Sequence, residues 1–163
     1  MKTVTGLEEA KKIKRSVEET ISLNRVMQYR YPPLIKRLQN KEGLTKEETE
    51  SLFEDLLKFL YLCGISDLIL APSEKIDLAW HHFILFTKEY RRFCIKYIGC
   101  FVHHSPQESG NRPKGVPIVQ QTLDLAEKTF GPLSGNWRFP ERAFVECSPS
   151  YDCNGDAQCS TKG

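Results

Sequence analysis

From Thr5 to about Tyr29, the positions Leu7, Ala10, Ile13, Val17, Ile21, Asn24 and Met27 recur at steps of three or four, and all but Asn24 are apolar. With Lys, Arg and Glu between them, this is the one-sided pattern of a helix. The stretch YRYPPLIKRLQNKEG ends it, because a residue before proline avoids the α region and proline has no N–H to donate. A short second helix is expected after Pro33. Thr45 and Glu48 stand at capping-box spacing at the head of TKEETESLFEDLLKFLYLC, which predicts a third helix closed by Gly64.

Past the apolar run ISDLILAP, Ser73 is placed as an N-cap, with Glu74 and Asp77 in the first turn where negative charge suits the helix dipole. One long helix is predicted from about Glu74 to Tyr97, stopping at Gly99. SPQESGNRPKG, residues 105–115, reads as a surface loop, and VPIVQQTLDLAEKTFG as a last helix with Gly131 beyond its end. Only ILAP and CFVHH have the look of short strands. The pattern therefore predicts an all-α, single-domain bundle of about five helices over residues 1–145. Residues 146–163 contain almost no large aliphatic side chain and many turn formers, and are expected to form a mobile, cysteine-containing tail.

Composition narrows the class without naming an activity. A chain of 163 residues supports one ordinary hydrophobic core. Its 23 basic and 21 acidic side chains nearly cancel, so charge gives no indication of a nucleic-acid partner. The N-terminus is charged throughout, and no stretch approaches the roughly 18 apolar residues that span a bilayer. A soluble, cytoplasmic protein with no membrane partner is expected, and its six cysteines are then expected to be reduced.

All four histidines fall between Asp77 and Pro106 as two adjacent pairs, His81 with His82 and His103 with His104. On a helix, Asp77 and His81 are one turn apart and share a face, whereas His82 turns aside. A carboxylate in that place either shares a divalent metal with the imidazole, zinc or a related ion, or accepts its ring proton. The plainer alternative has Asp77 capping the helix and His81 bonded to it. His103 or His104 completes a metal set only if the chain turns back: sixteen helical steps from His81 to Tyr97 advance about 24 Å, and seven extended residues span about 23 to 25 Å. Such a return needs a nearly straight strand or a shorter helix. Trp80 and Tyr90 would wall the site, although an apolar stripe with Phe83, Phe86 and Phe93 normally faces a core. Lys88, Arg91, Arg92 and Lys96 form a basic face best read as solvated.

Cys147, Cys153 and Cys159 are evenly spaced, with five residues between each, wider than the spacing of common zinc knuckles; they offer a second metal or redox set. A cysteine nucleophile at Cys94 or Cys100 is disfavoured, since Cys94 lies on the apolar side of its helix. No phosphate-cradling glycine loop, nucleophile elbow or paired-carboxylate motif occurs.

The segment PSEKIDLAWHHFILFTKEYRRFCIKYIGCFVHHSP resembles the core motif of the glycine-rich domain-containing protein-like family (DUF1399-type). The matching elements are Pro72, Ser73, Asp77, Trp80, His81, Ile84, Leu85, Tyr90, Phe93, Cys94, Gly99, Phe101, His103 and His104. Phe130, Gly131 and Trp137 extend the resemblance, which covers roughly residues 47–147. It implies that Asp77, His81, His103 and His104 matter more than His82, and it names no reaction. Two functional classes follow: a polar His/Asp site for a divalent metal or small polar ligand, or a non-enzymatic interaction module whose histidines form a structural hydrogen-bond network and whose surface recruits another protein.

Overall fold

The computed structural model describes residues 21–105 and 118–140, and the backbone of a strand at Asp156–Cys159. Most of the first predicted helix lies outside the described residues. Its end forms α1, Leu23–Met27, where the Ser22 hydroxyl accepts from the Arg25 N–H. Helix α2, Pro32–Glu42, opens on the proline pair and closes at Gly43, whose φ of 65° lies in the left-handed region that glycine adopts without strain.

Helix α3, Lys46–Ile65, opens with both halves of the capping box: Glu48 N–H donates to Thr45 Oγ1, and Thr45 N–H to the Glu48 carboxylate. Gly64 does not end it. A Cβ there would come within 2.5 Å of Ile98 Cγ2, so this glycine serves close packing rather than a C-cap. α3 is the central element, with α1, α2, α6 (Ile118–Phe130) and α4 (Glu74–Ile84) packed against it. Phe59 of α3 lies 5.6 Å from the Trp80 ring and 6.3 Å from that of Trp137.

The predicted long helix is in fact two. α4 ends at Ile84, Phe86 leaves helical conformation with ψ 61°, and α5 covers Thr87–Phe93 before a wider π-turn at Cys94–Ile98 that closes on Gly99 at φ 81°. Neither proline nor glycine marks the break. Its cause is tertiary: Phe86 turns to meet Tyr31 edge-on at 5.2 Å, and Tyr90 meets Phe83 at 5.2 Å. Trp80 Nε1 also donates to Tyr90 Oη at 2.9 Å. In one unbroken helix, ten residues would separate these two by about 15 Å along the axis, so this bond requires the turn.

After Gly99 the chain reverses into β1, Val102–Ser105, which pairs antiparallel with β2, Asp156–Cys159, in the register Val102 to Cys159 and His104 to Ala157. Part of the expected tail is therefore strand. The rest, and the mobility expected of it, lie outside the described residues. ILAP is held by α6 rather than by a sheet: the Ala71 N–H donates to Thr122 Oγ1, and Gln121 Nε2 to the Ile69 carbonyl.

α6 closes at Gly131 (φ 78°), and the 3-10 turn Gly135–Trp137 follows. That turn docks on Asp55 of α3, which accepts from Ser134 Oγ at 2.6 Å, Asn136 Nδ2 at 2.9 Å and Trp137 Nε1 at 2.9 Å. The all-α bundle holds, with six α-helices among the described residues and one two-stranded ribbon. No helix among them is long and apolar enough to cross a membrane. Cys63 and Cys94 are free and buried, whereas Cys100 is disulfide-bonded, against the expectation that all six thiols are reduced.

Candidate metal centre

Ser73 caps α4, its hydroxyl accepting from the Ile76 N–H, so the Asp77 carboxylate is not needed at the helix terminus. It points instead to two imidazoles. Oδ2 lies 3.0 Å from His81 Nδ1, one turn along α4, and Oδ1 lies 2.7 Å from His104 Nε2 on β1. The two rings meet edge to face at 4.4 Å.

The helix break and the strand together provide the return that the long predicted helix made so tight. Strand alternation then selects the residue. Val102 is buried, and His104, two positions on, faces the same way; His103 points to the opposite side, exposed, with its ring 4.9 Å from that of Phe101. The structure thus brings Asp77, His81 and His104 together and leaves His103 out.

Burial grades across the cluster. The Asp77 and His104 side chains are 7% and 9% exposed, while that of His81 is 56% exposed. One side chain of the cluster is therefore anchored, one is held by the strand, and one forms the open rim. Trp80 packs edge to face against His104 at 4.5 Å, forming a buried wall, and Tyr90 lies behind it.

His81 Nδ1 faces two acceptors, the Asp77 carboxylate and, at 2.8 Å, the Asp77 carbonyl. In the arrangement seen, that nitrogen carries the ring proton, and so does His104 Nε2 where it meets Oδ1. The three atoms that would ligate an ion, one from each side chain, lie within 4.8 Å of one another. Around tetrahedral zinc with bonds of about 2.0 to 2.1 Å, ligand atoms sit about 3.3 Å apart, so the hydrogen-bonded contacts, made to different oxygens of Asp77, would open by a few tenths of an ångström and the wider separations, within 4.8 Å, would close. Each ring would also move its proton to the outward nitrogen. Three protein ligands with one exposed side would leave a bound ion a coordination position for water or a ligand atom.

His82 does different work. Its Nδ1 accepts from Arg37 Nε at 2.9 Å and its Nε2 donates to Glu42 at 2.7 Å, which ties α4 to α2. The sequence offered no sign of this pairing, since both partners are some forty residues away and lie among other charged residues. Asp55, a buried carboxylate bound by three donors, also went unnoticed in a charged stretch of α3. Cys94 is fully buried and burial pushes its thiol ionisation up, which opposes a nucleophilic role. Cys147 and Cys153 lie outside the described residues. For Cys159 only the backbone is described, opposite Val102.

No curated protein and no solved structure matches the chain. A family model does, the one described as UCP032817-like, over residues 22–116. That span holds every residue of the cluster. The match overturns the resemblance to the glycine-rich domain-containing protein-like family: the DxxWH and HH elements that carried it fall within the matched span of a different family. Matched over more than half its length, this chain belongs to the UCP032817-like family.

Proposed function

We propose that Asp77, His81 and His104 bind one divalent metal ion of the zinc class. The observation that carries this reading is the convergence of three ligand atoms from a helix and a strand within 4.8 Å, one of them on a solvent-facing ring. Two nitrogens and a carboxylate oxygen suit zinc or a neighbouring transition ion better than calcium or magnesium, which prefer oxygen alone. The open position would take a small polar ligand or a water molecule. A water held there would be acidified by the ion, which is the starting point of metal-assisted hydrolysis.

One observation favours a second reading, a non-enzymatic interaction module. Both Asp77 oxygens already have hydrogen-bond partners, so the cluster is self-consistent as a structural network, and the function would then lie in a surface that recruits another protein.

Elemental analysis and zinc titration of the purified protein separate the two. Under the metal reading the wild type binds close to one equivalent of zinc, His81→Ala and His104→Ala lose it, and full-length chains carrying Cys147→Ser, Cys153→Ser or Cys159→Ser keep it. Loss in the serine variants alone, with His81→Ala still loaded, would move the ion to the cysteine tail. No zinc in any sample, with no change of melting temperature on adding zinc or chelator, would leave the interaction module.

A further inference from the structure

We infer that Tyr90 is the positioning residue of this site, the group whose hydroxyl holds His104 against Asp77; as a statement about a metal centre this rests on the reading above. Tyr90 is buried, and its phenol has one proton and one accepting face in use. The proton goes to the Val102 carbonyl at 2.6 Å, and the oxygen accepts from Trp80 Nε1 at 2.9 Å.

Those two partners flank the ligands. Trp80 precedes His81 on α4, and Val102 stands two residues before His104 on the same face of β1. The Trp80 ring then touches the His104 ring at 4.5 Å. The contacts close a loop from Tyr90 through Trp80 to His104, along β1 to Val102, and back to the hydroxyl. β1 is paired along its length with β2, and the core reaches its first residue through the Tyr90 hydroxyl on the Val102 carbonyl and through the Val102 backbone bond to the Cys94 thiol, so the short Tyr90 bond helps set how far His104 reaches toward Asp77.

That oxygen is the atom that joins Trp80 to Val102. The ring of Tyr90 is held separately, by Phe83 at 5.2 Å and Phe101 at 5.5 Å, both edge to face. Removing the oxygen therefore leaves the ring in place and breaks the hydroxyl's two bonds, to the Val102 carbonyl and from the Trp80 indole. Burial pushes the phenol ionisation well above the ordinary tyrosine range, so the hydroxyl remains a donor at any working pH.

The test uses Tyr90→Phe beside Tyr29→Phe. Tyr29 is also a core tyrosine, but its hydroxyl donates to Glu89 at 2.8 Å and has no link to β1. Zinc affinity is expected to fall about 10- to 100-fold in Tyr90→Phe, the range for loss of a group that orients a metal ligand, and to stay unchanged in Tyr29→Phe. Cobalt bound in place of zinc should show an altered visible spectrum in the first variant alone. A metal-free readout stands beside these: the His104 ring N–H resonance, held by Asp77 in the wild type, should shift in Tyr90→Phe and not in Tyr29→Phe.

An unmoved His104 resonance together with unchanged zinc affinity in Tyr90→Phe would overturn the inference. A shifted resonance in a protein that takes up no zinc would sink the metal reading and leave the positioning role standing. If Tyr90→Phe does not fold, the wild type carries the test. Its two indole N–H resonances should be distinguishable, because Trp80 bonds the Tyr90 hydroxyl and Trp137 the Asp55 carboxylate. Zinc should move the Trp80 signal and leave that of Trp137, and an unmoved Trp80 signal in zinc-loaded protein would overturn the proposal.

Discussion

Asp55 and Asp77 are both buried carboxylates, 3% and 5% exposed, and each holds a distant piece of chain against a helix. Asp55 fastens the 3-10 turn across 82 residues of sequence, and Asp77 fastens β1 across 27. Their partners differ in chemistry. Around Asp55 the hydrogen-bond donors are a hydroxyl, an amide and an indole, which are poor ligands for a zinc-class ion and keep their protons at any ordinary pH. Around Asp77 both donors are imidazoles, which can shed or relocate a proton and ligate an ion, and one of them is open to water. Burial of a carboxylate thus indicates that it has partners, and the partners indicate whether it is a fastening or a site.

The sharpest way to break this comparison is Asp55→Ala. It strands one buried donor, the Trp137 indole N–H, and releases the more accessible Ser134 and Asn136, and urea denaturation is expected to show a loss on the order of 2–3 kcal/mol, with the zinc capacity of the folded fraction intact. A mild loss of stability accompanied by loss of zinc would show that the two carboxylates had been assigned the wrong way round.

His81→Ala should behave in the opposite sense. The ring is more than half exposed, so solvent screens its bond to Asp77, and metal-free stability should fall by about 1 kcal/mol or less in the same denaturation experiment. Zinc binding, however, should disappear. Strong destabilisation of the metal-free protein would place His81 among the fastenings.

The smallest expected effect comes from a third carboxylate, Glu48, which is fully exposed. The Thr45 backbone N–H, and then its hydroxyl, hold the Glu48 carboxyl below its ordinary value of 4.5. A lowered folded-state value means that its contribution is present above pH 4.5 and is lost as pH falls through that lower value. Melting temperatures of the wild type and Glu48→Gln should therefore differ slightly at neutral pH and converge in acid. A difference that widened on acidification would contradict the sign.

The contrast between Asp55 and Asp77 also marks what could be read from the chain. Hydrophobic period, the prolines at 32 and 33, and the caps at Thr45 and Ser73 specify helices because each acts through hydrogen bonds and side chains only a few residues apart. The pairing of Asp77 with His81 was legible for the same reason, being one turn of one helix. The membership of His104 was legible only as a possibility, since it required a reversal whose length was marginal for the helix expected.

What the sequence by itself determined is the all-α class, most helix boundaries and a histidine-rich segment worth attention. Only the tertiary structure decided that the helix breaks at Phe86, that Gly64 is a packing contact, that His104 and not His103 faces Asp77, and that Asp55 holds Trp137. The physical reason is range. Local rules act between neighbours, whereas a break without proline or glycine is set by aromatic partners from other elements, and the choice between two adjacent histidines is set by strand alternation once a remote tyrosine has helped to fix where the strand lies.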